Sequence, residues 1–392
     1  MLQGVRVFSN PGVTLLYLQN EASYILNKQD VDCMYQVVAA IALLFFVIGQ
    51  AASTPVLPSH AVILQYHHVS ENTPNSTSTS VALFKAHLDY FDAHGFQVWS
   101  LQRVIEQLRA GHQLPDKVIA LTFDDGYRSV YTSAYPLLKE KGWPFSVFVS
   151  TDYVGANKQL YVNWDELSEM AQHGALIGNH TQSHPHLLRK LAGETDAMWQ
   201  RRVRQEIEGA QRIIDNNVGT QYRILAYPYG EYDEEVKQIV KSLGYVGLAQ
   251  QSGPVGITSD WLALPRFPFA NRYGGIKQIR DKLYSLPLVV LERAPSTSYI
   301  GSLPPQLKLI LGSDDISYKR ASCFASGQGQ ISTSSRSGNA GIIIDTSAMK
   351  PLPVGRSRYN CTFPSKNFSG RFYWYSVQWL RKKDNGDWWE ES

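Results

Sequence analysis

The sequence predicts an α/β protein, an incomplete (β/α)7-type barrel followed by a small all-β domain. Between about residues 60 and 250, apolar runs of strand length alternate with helical patterns, which favours parallel strand pairing. About seven such units are present, and this number favours an incomplete barrel. After about residue 295, serine, glycine and proline become frequent and the strand-like runs become short, which is typical of an all-β sandwich. We therefore expect domains over residues 54–295 and 296–392.

The barrel elements can be placed one by one. Ser100 is a good N-cap residue, so a helix is expected to begin at Leu101. The strand-like runs lie at 61–66, 96–99, 117–123, 145–149, 175–178, 223–227 and 245–249. The helical patterns lie at Leu83–His94, Leu101–Ala110, Val130–Glu140, Asp165–His173, Gln205–Ile214 and Glu234–Ser242.

Residues 1–53 have the pattern of a leader. The apolar run Val37–Ile48 is followed by small residues up to Ser53. It is too short to span a bilayer comfortably but suits the core of a signal peptide. Met34 would begin a leader of ordinary length, so residues 1–33 could result from the choice of start site. We expect export to the periplasm, envelope or medium; a retained membrane anchor and a buried helix are the alternatives.

The cysteines agree with export. Cys33 precedes the apolar run and would be lost with a leader, which leaves Cys323 and Cys361. An even pair in an exported protein predicts a disulfide, and two unpaired buried thiols are the alternative.

The overall charge gives no reason to expect a nucleic-acid partner. The chain carries 37 Lys and Arg residues against 34 Asp and Glu residues, a net charge of +3. Its basic clusters are more consistent with solvated faces than with polyanion binding. C-terminal aromatic residues could form a sugar-stacking surface, although core and interface packing explains them better; they are Phe372, Tyr373, Trp374, Tyr375, Trp379, Trp388 and Trp389.

Two adjacent carboxylates, Asp124 and Asp125, follow the apolar run Val118–Leu121. Neighbouring carboxylates repel, so a cation or hydrogen bonds must hold both ionised. Adjacent side chains on an extended chain point to different sides, so one could bind a metal while the other faces a substrate. Gly126 then permits a sharp turn. The alternative is a simple strand-to-turn Asp-Gly pair.

A second cluster contains His180 and His184, four residues apart. On a helical turn this spacing places both imidazoles on one face. Two histidines and one carboxylate form a three-ligand site with an open position, the usual arrangement of catalytic zinc. The segment His184–His186 could instead be an exposed loop.

Two further strand ends complete the pattern. The run before Pro228-Tyr229-Gly230 ends in a turn that frees backbone N–H groups, which could stabilise an oxyanion. The strand before His67 and His68 ends in two imidazoles, either of which could act as a general acid. A plain turn and two surface histidines are the alternatives.

Together, the segments TFDDGY, NHTQSHPH and AYPYG resemble the polysaccharide deacetylase (NodB-homology) domain of carbohydrate esterase family 4. The early QYHHV is similar to the branch that contains the poly-N-acetylglucosamine deacetylases of bacterial biofilms. The resemblance covers roughly residues 58–285 and independently suggests an incomplete barrel.

The resemblance implies a role for each matching residue. Asp124 would be the general base, and His67 the general acid, with His68 as the second choice. The Tyr229 amide would help bind the oxyanion. The ligands of a divalent cation, usually zinc in the family, would be Asp125, His180 and His184.

One position departs from the family pattern. Many members carry an arginine directly before the Pro-Pro-Tyr-Gly equivalent, where it contacts the catalytic aspartate, but Ala226 stands here. Arg223 or Arg266 could supply the guanidinium, and we favour Arg266 because Leu-Pro-Arg recurs in the resembling branch. Asp260 is a candidate to orient the general-acid histidine.

The sequence therefore predicts an exported, metal-dependent N-deacetylase of an N-acetylglucosamine polymer. A non-catalytic carbohydrate-binding relative, an esterase acting on O-acetyl xylan or peptidoglycan, and a glycoside hydrolase are the alternatives. The expected partner is a polysaccharide, and an uncleaved leader would add contact with a membrane. The sequence does not indicate which polymer is used or the oligomeric state.

Overall fold

The computed structural model describes residues 5–10, 13–18, 22–26, 36, 55–312 and 315–390. The chain divides into two units, Met1–Val56 and Leu57–Ser392. In the first unit, three strands form an antiparallel sheet: β1 (Val5–Asn10), β2 (Val13–Leu18) and β3 (Ala22–Leu26). The predicted signal-peptide core, Val37–Ile48, lies outside the described residues.

The second unit begins with an α/β half-barrel. Its parallel strands are β4 (His60–Tyr66), β7 (Gln97–Val98), β8 (Val118–Phe123), β9 (Phe145–Val149), β10 (Ala175–Asn179), β11 (Ile224–Ala226), β12 (Val246–Leu248) and β14 (Phe267–Pro268). They lie in the order β12-β11-β10-β9-β8-β4, with β7 beside β8 and β14 beside β4. A short antiparallel strand, β13 (Val255–Gly256), pairs with the start of β4. A two-stranded ladder, β5 (His68–Val69) and β6 (Ser78–Thr79), follows β4.

Seven α-helices are described in this half-barrel: α1 (Val81–Ala93), α2 (Leu101–Arg109), α3 (Tyr135–Lys141), α4 (Trp164–Gln172), α5 (Asp196–Val218), α6 (Glu234–Ser242) and α7 (Ile276–Leu283). The π-helical turn Val130–Ala134 leads into α3. The Ser100 hydroxyl accepts a hydrogen bond from the Arg103 N–H, so the predicted N-cap is confirmed. Helix α5 is longer than predicted, because Thr195 caps it ten residues before Gln205.

The longer strands are buried on both faces, as expected when helices cover a parallel sheet. Strand β4 is buried along its whole length. Val62 and Leu64 pack in one cluster with Phe84 of α1, whereas Ile63 packs in another with Val104 of α2. The predicted α/β half-barrel, with all seven of its strand-like runs, is confirmed.

The C-terminal part is all-β, as predicted. Its described strands are β15 (Leu286–Pro287), β16 (Val290–Ala294), β17 (Tyr299–Ile300), β18 (Gln306–Leu311), β19 (Ser322–Ala325), β20 (Gly329–Gly338), β21 (Gly341–Ser347), β22 (Gly355–Pro364) and β23 (Phe372–Arg381). They form one continuous hydrogen-bonded sheet, here called the C-terminal sheet. Its first two strands precede residue 296, so the sheet begins before the predicted boundary; the boundary itself and the sandwich remain predictions.

A disulfide joins two strands of this sheet. Cys323 of β19 and Cys361 of β22 are direct cross-strand partners and are bonded through their sulfur atoms. Both are fully buried, so the predicted pairing is confirmed and the alternative of two unpaired thiols is wrong. Trp379 and Tyr373 are also buried in this core, in agreement with a packing role for those aromatic residues.

Candidate active site

The residues singled out in the sequence follow the ends of four parallel strands. His67 follows β4, the two aspartates follow β8, His180 follows β10, and Tyr229 follows β11 by three residues. Because carboxyl ends of parallel strands share one edge, these side chains can meet above the half-barrel. Arg266 directly precedes β14, which pairs with β4.

Asp124 is fully buried and held by a bidentate ion pair. Arg266, also fully buried, donates from Nη1 to Asp124 Oδ1 and from Nη2 to Asp124 Oδ2, both at 2.7 Å. Gln65 Nε2 donates to Oδ2 at 2.7 Å. Arg223 lies elsewhere, with its Nη1 3.4 Å from the Tyr245 hydroxyl. Of the two arginines considered, Arg266 is therefore the one that contacts Asp124.

These contacts determine the charge of Asp124. Burial opposes ionisation, but the adjacent Arg266 guanidinium outweighs burial and lowers the pKa of the carboxyl. Arg266 is itself fixed, because its Nε donates to the Ala249 carbonyl at 2.9 Å and its Nη1 donates to the Thr122 hydroxyl at 3.2 Å. Asp124 is thus an ionised carboxylate with a fixed orientation.

Asp125 turns away toward two imidazoles. Its Oδ1 lies 3.2 Å from His180 Nε2 and 3.5 Å from His184 Nε2. The three donor atoms lie within 4.8 Å of one another. Ligands about 2.0–2.1 Å from a tetrahedral zinc ion are roughly 3.3 Å apart, so the two separations from Asp125 fit one shared cation.

The surroundings of His180 also fit a metal site. Its Nδ1 donates to the Ala226 carbonyl at 2.7 Å, which leaves Nε2 to face Asp125. Metal-binding histidines typically donate their second nitrogen in this way, and the bond fixes the tautomer. Ala226, at the position where many family members carry an arginine, contributes its backbone oxygen.

The electrostatics of the two imidazoles differ. Burial lowers the pKa of His184 to about 4. Burial also opposes protonation of His180, but the hydrogen bond to Asp125 outweighs it and raises the pKa. Burial likewise opposes ionisation of Asp125, yet the neighbouring histidines lower its pKa. The carboxylate is therefore available as a ligand.

Backbone strain is concentrated at this site. Of the five non-glycine residues described with positive φ, four belong to it: Asp125 (71°), Thr181 (70°), His184 (56°) and Tyr229 (58°). Such conformations disfavour side chains with a Cβ and persist only where the surroundings enforce them. Gly126 continues the turn at φ 64°, and a Cβ there would lie 3.0 Å from Val149. The sharp turn expected at Gly126 therefore begins one residue earlier, at Asp125.

The two adjacent histidines occupy different environments. His68 is buried and stacks on the Tyr127 ring at 3.5 Å, and burial lowers its pKa to about 4. His67 is partly exposed and contributes electrostatically to both aspartates. Of the two histidines, His67 is therefore the more accessible to solvent. Asp260 forms an ion pair with Lys237 of α6 at 2.7 Å.

Tyr229 lies in a 3-10 turn beside the histidines. Its ring centroid is 4.5 Å from that of His184 and 3.8 Å from that of His186, with which it is stacked. His186 Nδ1 donates to Glu231 Oε2 at 2.9 Å. Arg356 of β22 donates to Glu231 Oε1 at 2.7 Å.

Sequence reasoning missed four of these contributors. Gln65 stood inside the quoted QYHHV segment but was given no role. His186 was considered only as part of a loop, and Glu231 and Arg356 carried no signal. An arginine 125 residues from its carboxylate can be recognised only once the fold is known.

Comparison with known proteins supports the assignment of family. Residues 111–248 match the polysaccharide deacetylase family. A Bacillus subtilis (strain 168) protein assigned to the polysaccharide deacetylases is 29% identical over 210 residues, covering 53% of this chain and 71% of that protein. The poly-beta-1,6-N-acetyl-D-glucosamine N-deacetylase of Staphylococcus epidermidis is 24% identical over 233 residues, covering 54% and 79%. That of Escherichia coli K12 is 23% identical over 269 residues, covering 60% of this chain but only 39% of the relative.

Solved structures share the fold. The Streptococcus pyogenes deacetylase PplD superposes with a TM-score of 0.52 at 23% identity, covering 58% of this chain and 99% of that one. IcaB from Ammonifex degensii gives 0.50 at 24% identity, covering 58% and 98%. Within the described residues, no helix has the length and apolarity needed to cross a membrane. The family match and the shared half-barrel agree: over residues 111–248 this chain resembles the polysaccharide deacetylase family.

Proposed function

We propose that this protein is a metal-dependent N-deacetylase that hydrolyses acetamide groups of an N-acetylglucosamine polymer. One observation carries the proposal: the adjacent aspartates are separated into two environments. Arg266 clamps Asp124 inside the protein, whereas Asp125 faces His180 and His184. Deacetylation needs one carboxylate as a base and another as a ligand, and this arrangement supplies both.

Asp125, His180 and His184 would hold the cation. When bound, a divalent cation lowers the pKa of a water molecule and polarises a carbonyl group. Zinc suits a set of two imidazoles and one carboxylate. The identity of the metal is part of the proposal.

Asp124 would accept the proton of the attacking water. A carboxylate oxygen has two lone pairs, and Oδ2 already accepts hydrogen bonds from Arg266 and Gln65. Oδ1 accepts from Arg266 among the described residues and has a lone pair to spare. We therefore assign the proton to Oδ1. The ion pair with Arg266 keeps Asp124 ionised, and thus ready to act as a base, through the neutral pH range.

Tyr229 and His67 would complete the reaction. The backbone N–H of Tyr229 would donate to the oxyanion of the tetrahedral intermediate. His67 would then give a proton to the departing amine. The products are acetate and a glucosamine unit, which gains positive charge.

The substrate is inferred from the relatives named above, which include N-deacetylases of poly-beta-1,6-N-acetyl-D-glucosamine. The same site could attack an O-acetyl ester, because both reactions form a tetrahedral oxyanion. We also propose export, on the basis of the run Val37–Ile48 and the Cys323–Cys361 disulfide. An adjacent aspartate pair with two histidines argues against a glycoside hydrolase, whose two carboxyl groups lie about 5–10 Å apart.

Acetate release from a panel of polymers tests the proposal. Zinc-reconstituted protein should release acetate from poly-β-1,6-N-acetylglucosamine and leave a primary amine that reacts with an amine probe. Peptidoglycan, chitin oligomers and O-acetyl xylan serve as comparisons. Acetate release from O-acetyl xylan alone would indicate an esterase and contradict the proposed amide hydrolysis. Acetate from none of the polymers, with metal fully bound, would favour a non-catalytic carbohydrate-binding relative.

A further inference from the structure

The half-barrel's turn around Tyr229 is connected to the C-terminal sheet by a chain of side chains. Arg356 lies on β22 of that sheet and pairs with Glu231, two residues after Tyr229. Glu231 also accepts from His186, whose ring stacks on Tyr229 at an interplanar angle of 8°. The Arg356 guanidinium carbon lies 5.3 Å from the Tyr229 ring centroid. Here Arg356, Glu231, His186 and Tyr229 are called the bracing chain.

The burial of the Glu231 side chain shows what the bracing chain does. Its carboxylate is 0% exposed, and each oxygen has a partner from a different part of the fold. A buried carboxylate must be paired, so its position depends on the groups that pair with it. Glu231 directly follows the 3-10 turn Pro228–Gly230. Fixing Glu231 therefore fixes one end of the turn that contains Tyr229.

Tyr229 needs such support because its backbone is strained. At φ 58° and ψ 3° it occupies the left-handed region, which costs a residue with a Cβ roughly 1–2 kcal/mol. Gly230 follows at φ 68°, and a Cβ on it would lie 2.6 Å from Gln250. Two consecutive left-handed residues persist only when surrounding contacts enforce them. The bracing chain supplies contacts to the ring of the first and to the residue after the second.

A second contact joins the C-terminal region to the histidine loop. Arg189, three residues after His186, donates from Nη1 to the Trp389 carbonyl at 2.8 Å, and its guanidinium carbon lies 4.8 Å from the Trp389 ring centroid. The Arg356 guanidinium carbon lies 5.8 Å from the same ring. The C-terminal region therefore contacts both loops that border the metal-ligand cluster.

We propose that Arg356 of the C-terminal sheet is a positioning residue for deacetylation, acting through Glu231 and His186 to hold the Tyr229 amide at the oxyanion position. This inference rests on the proposed function, in which that amide binds the oxyanion. In this proposal the all-β region contributes to turnover without binding the sugar itself.

The test combines kinetics with structure. Arg356→Ala should lower kcat about 10- to 100-fold, because the Tyr229 amide is displaced rather than removed. KM and the bound metal should change little, since the ligands and the substrate groups remain. Arg356→Lys should recover part of the loss, because an ammonium pairs with Glu231 but lacks the planar guanidinium. In the crystal structure of Arg356→Ala, Tyr229 should leave its φ of 58°.

A double-mutant cycle identifies the route of the effect. Glu231→Gln should lower kcat as Arg356→Ala does, and the double variant should lose no more than the worse single variant, because both break one link. Additive losses would contradict an action through Glu231. Arg336→Ala is the matched control and should leave kcat unchanged, since Arg336 forms an exposed ion pair with Asp345 in the same sheet.

The outcomes separate this inference from the proposed function. Wild-type protein that releases no acetate would overturn the proposed function, and the crystal structures would still test the bracing chain. If Tyr229 keeps its conformation in Arg356→Ala, or if it moves while kcat stays the same, the positioning role is wrong. If Arg356→Ala fails to fold, kcat and the Tyr229 conformation can be compared with those of the wild type in Arg356→Lys and Glu231→Gln.

Discussion

The half-barrel and the C-terminal sheet bury different kinds of side chain. The half-barrel encloses Asp124, Arg266 and Glu231, each at most 1% exposed. In the described part of the C-terminal sheet, the most buried polar side chains are uncharged, among them Ser357 and Gln378, and ion pairs such as Arg336–Asp345 are exposed. Buried charges lower stability unless they are paired, whereas an apolar core with a disulfide adds to it.

The two regions therefore differ in role: the half-barrel carries the reactive groups, and the C-terminal sheet mainly adds stability. The strained and charged residues collect at one edge of the half-barrel, where each depends on partners for its position. The C-terminal sheet contributes one guanidinium, that of Arg356, to that edge. Perturbing the half-barrel edge should therefore affect metal binding and turnover, whereas perturbing the C-terminal sheet away from Arg356 should mainly affect folding stability.

The largest effect is expected at the metal ligands. His180→Ala removes one of three ligands, so metal affinity should fall by more than the roughly 10–100-fold typical of changes to outer contacts. Acetate release should fall with it. Metal titration of the purified variant measures the loss. His173→Ala is the matched control, because this exposed histidine contacts Tyr135 instead of the cluster. A full equivalent of tightly held metal in His180→Ala would contradict the assignment.

Arg266→Ala should have the next largest effect. It leaves the Asp124 carboxylate buried without its cation, which should lower the free energy of unfolding by about 3–5 kcal/mol. Turnover should fall while the metal content stays the same. Denaturant unfolding and steady-state kinetics measure the two effects. Arg223→Ala should be milder in both, since Arg223 contacts Tyr245; the reverse ranking would move the role to Arg223.

Loss of the disulfide probes the other region. Cys323 and Cys361 are 38 residues apart, and closing such a loop stabilises the fold by roughly 3–4 kcal/mol in the chain-entropy model. Replacing both with alanine should lower the unfolding midpoint without changing metal affinity. Thiol titration of unfolded wild-type protein, with and without reductant, provides the control. Two free thiols before reduction would reject the disulfide and weaken the proposal of export.

The smallest effect concerns a partly buried charge of the half-barrel, that of Lys282. Burial lowers the pKa of Lys282 to about 8. The unfolded chain, with a pKa of 10.5, therefore binds more protons between pH 8 and 10.5, and the free energy of unfolding should rise with pH across that range. We expect a rise of about 1–3 kcal/mol. Lys282→Met should abolish it, and an equal rise in that variant would exclude Lys282 as the cause.

Much of the fold was predictable because it depends on local pattern. The buried strands β4 and β8 are continuous apolar runs, and Ser100 marks the start of α2. The start of α5 was harder to place, because its first turns, from Asp196, are rich in polar and charged residues. The C-terminal sheet begins at Leu286 because pairing with β23, far along the chain, defines it.

The candidate site was predictable where its residues form short motifs or, as for His67 and Arg266, where the family resemblance suggested them. The aspartate pair and the two histidines are short motifs, and their grouping follows from adjacent strand ends. The partners of Asp124 are set by tertiary contacts: Gln65 lies 59 residues away and Arg266 lies 142 residues away. The positive φ values of Asp125 and Tyr229 could not be predicted from the residue types, because glycine or asparagine usually occupies such positions.

The separation of roles between the two aspartates is the central claim, and one measurement tests it most directly. Metal content and acetate release should be determined on the same samples of wild type, Asp124→Asn and Asp125→Asn after reconstitution with zinc. Asp124→Asn should keep a full equivalent of metal and lose about 10²–10⁴-fold in kcat, because it lacks the base. Asp125→Asn should lose both metal affinity and activity. Two variants that bind metal normally and remain active would contradict the account.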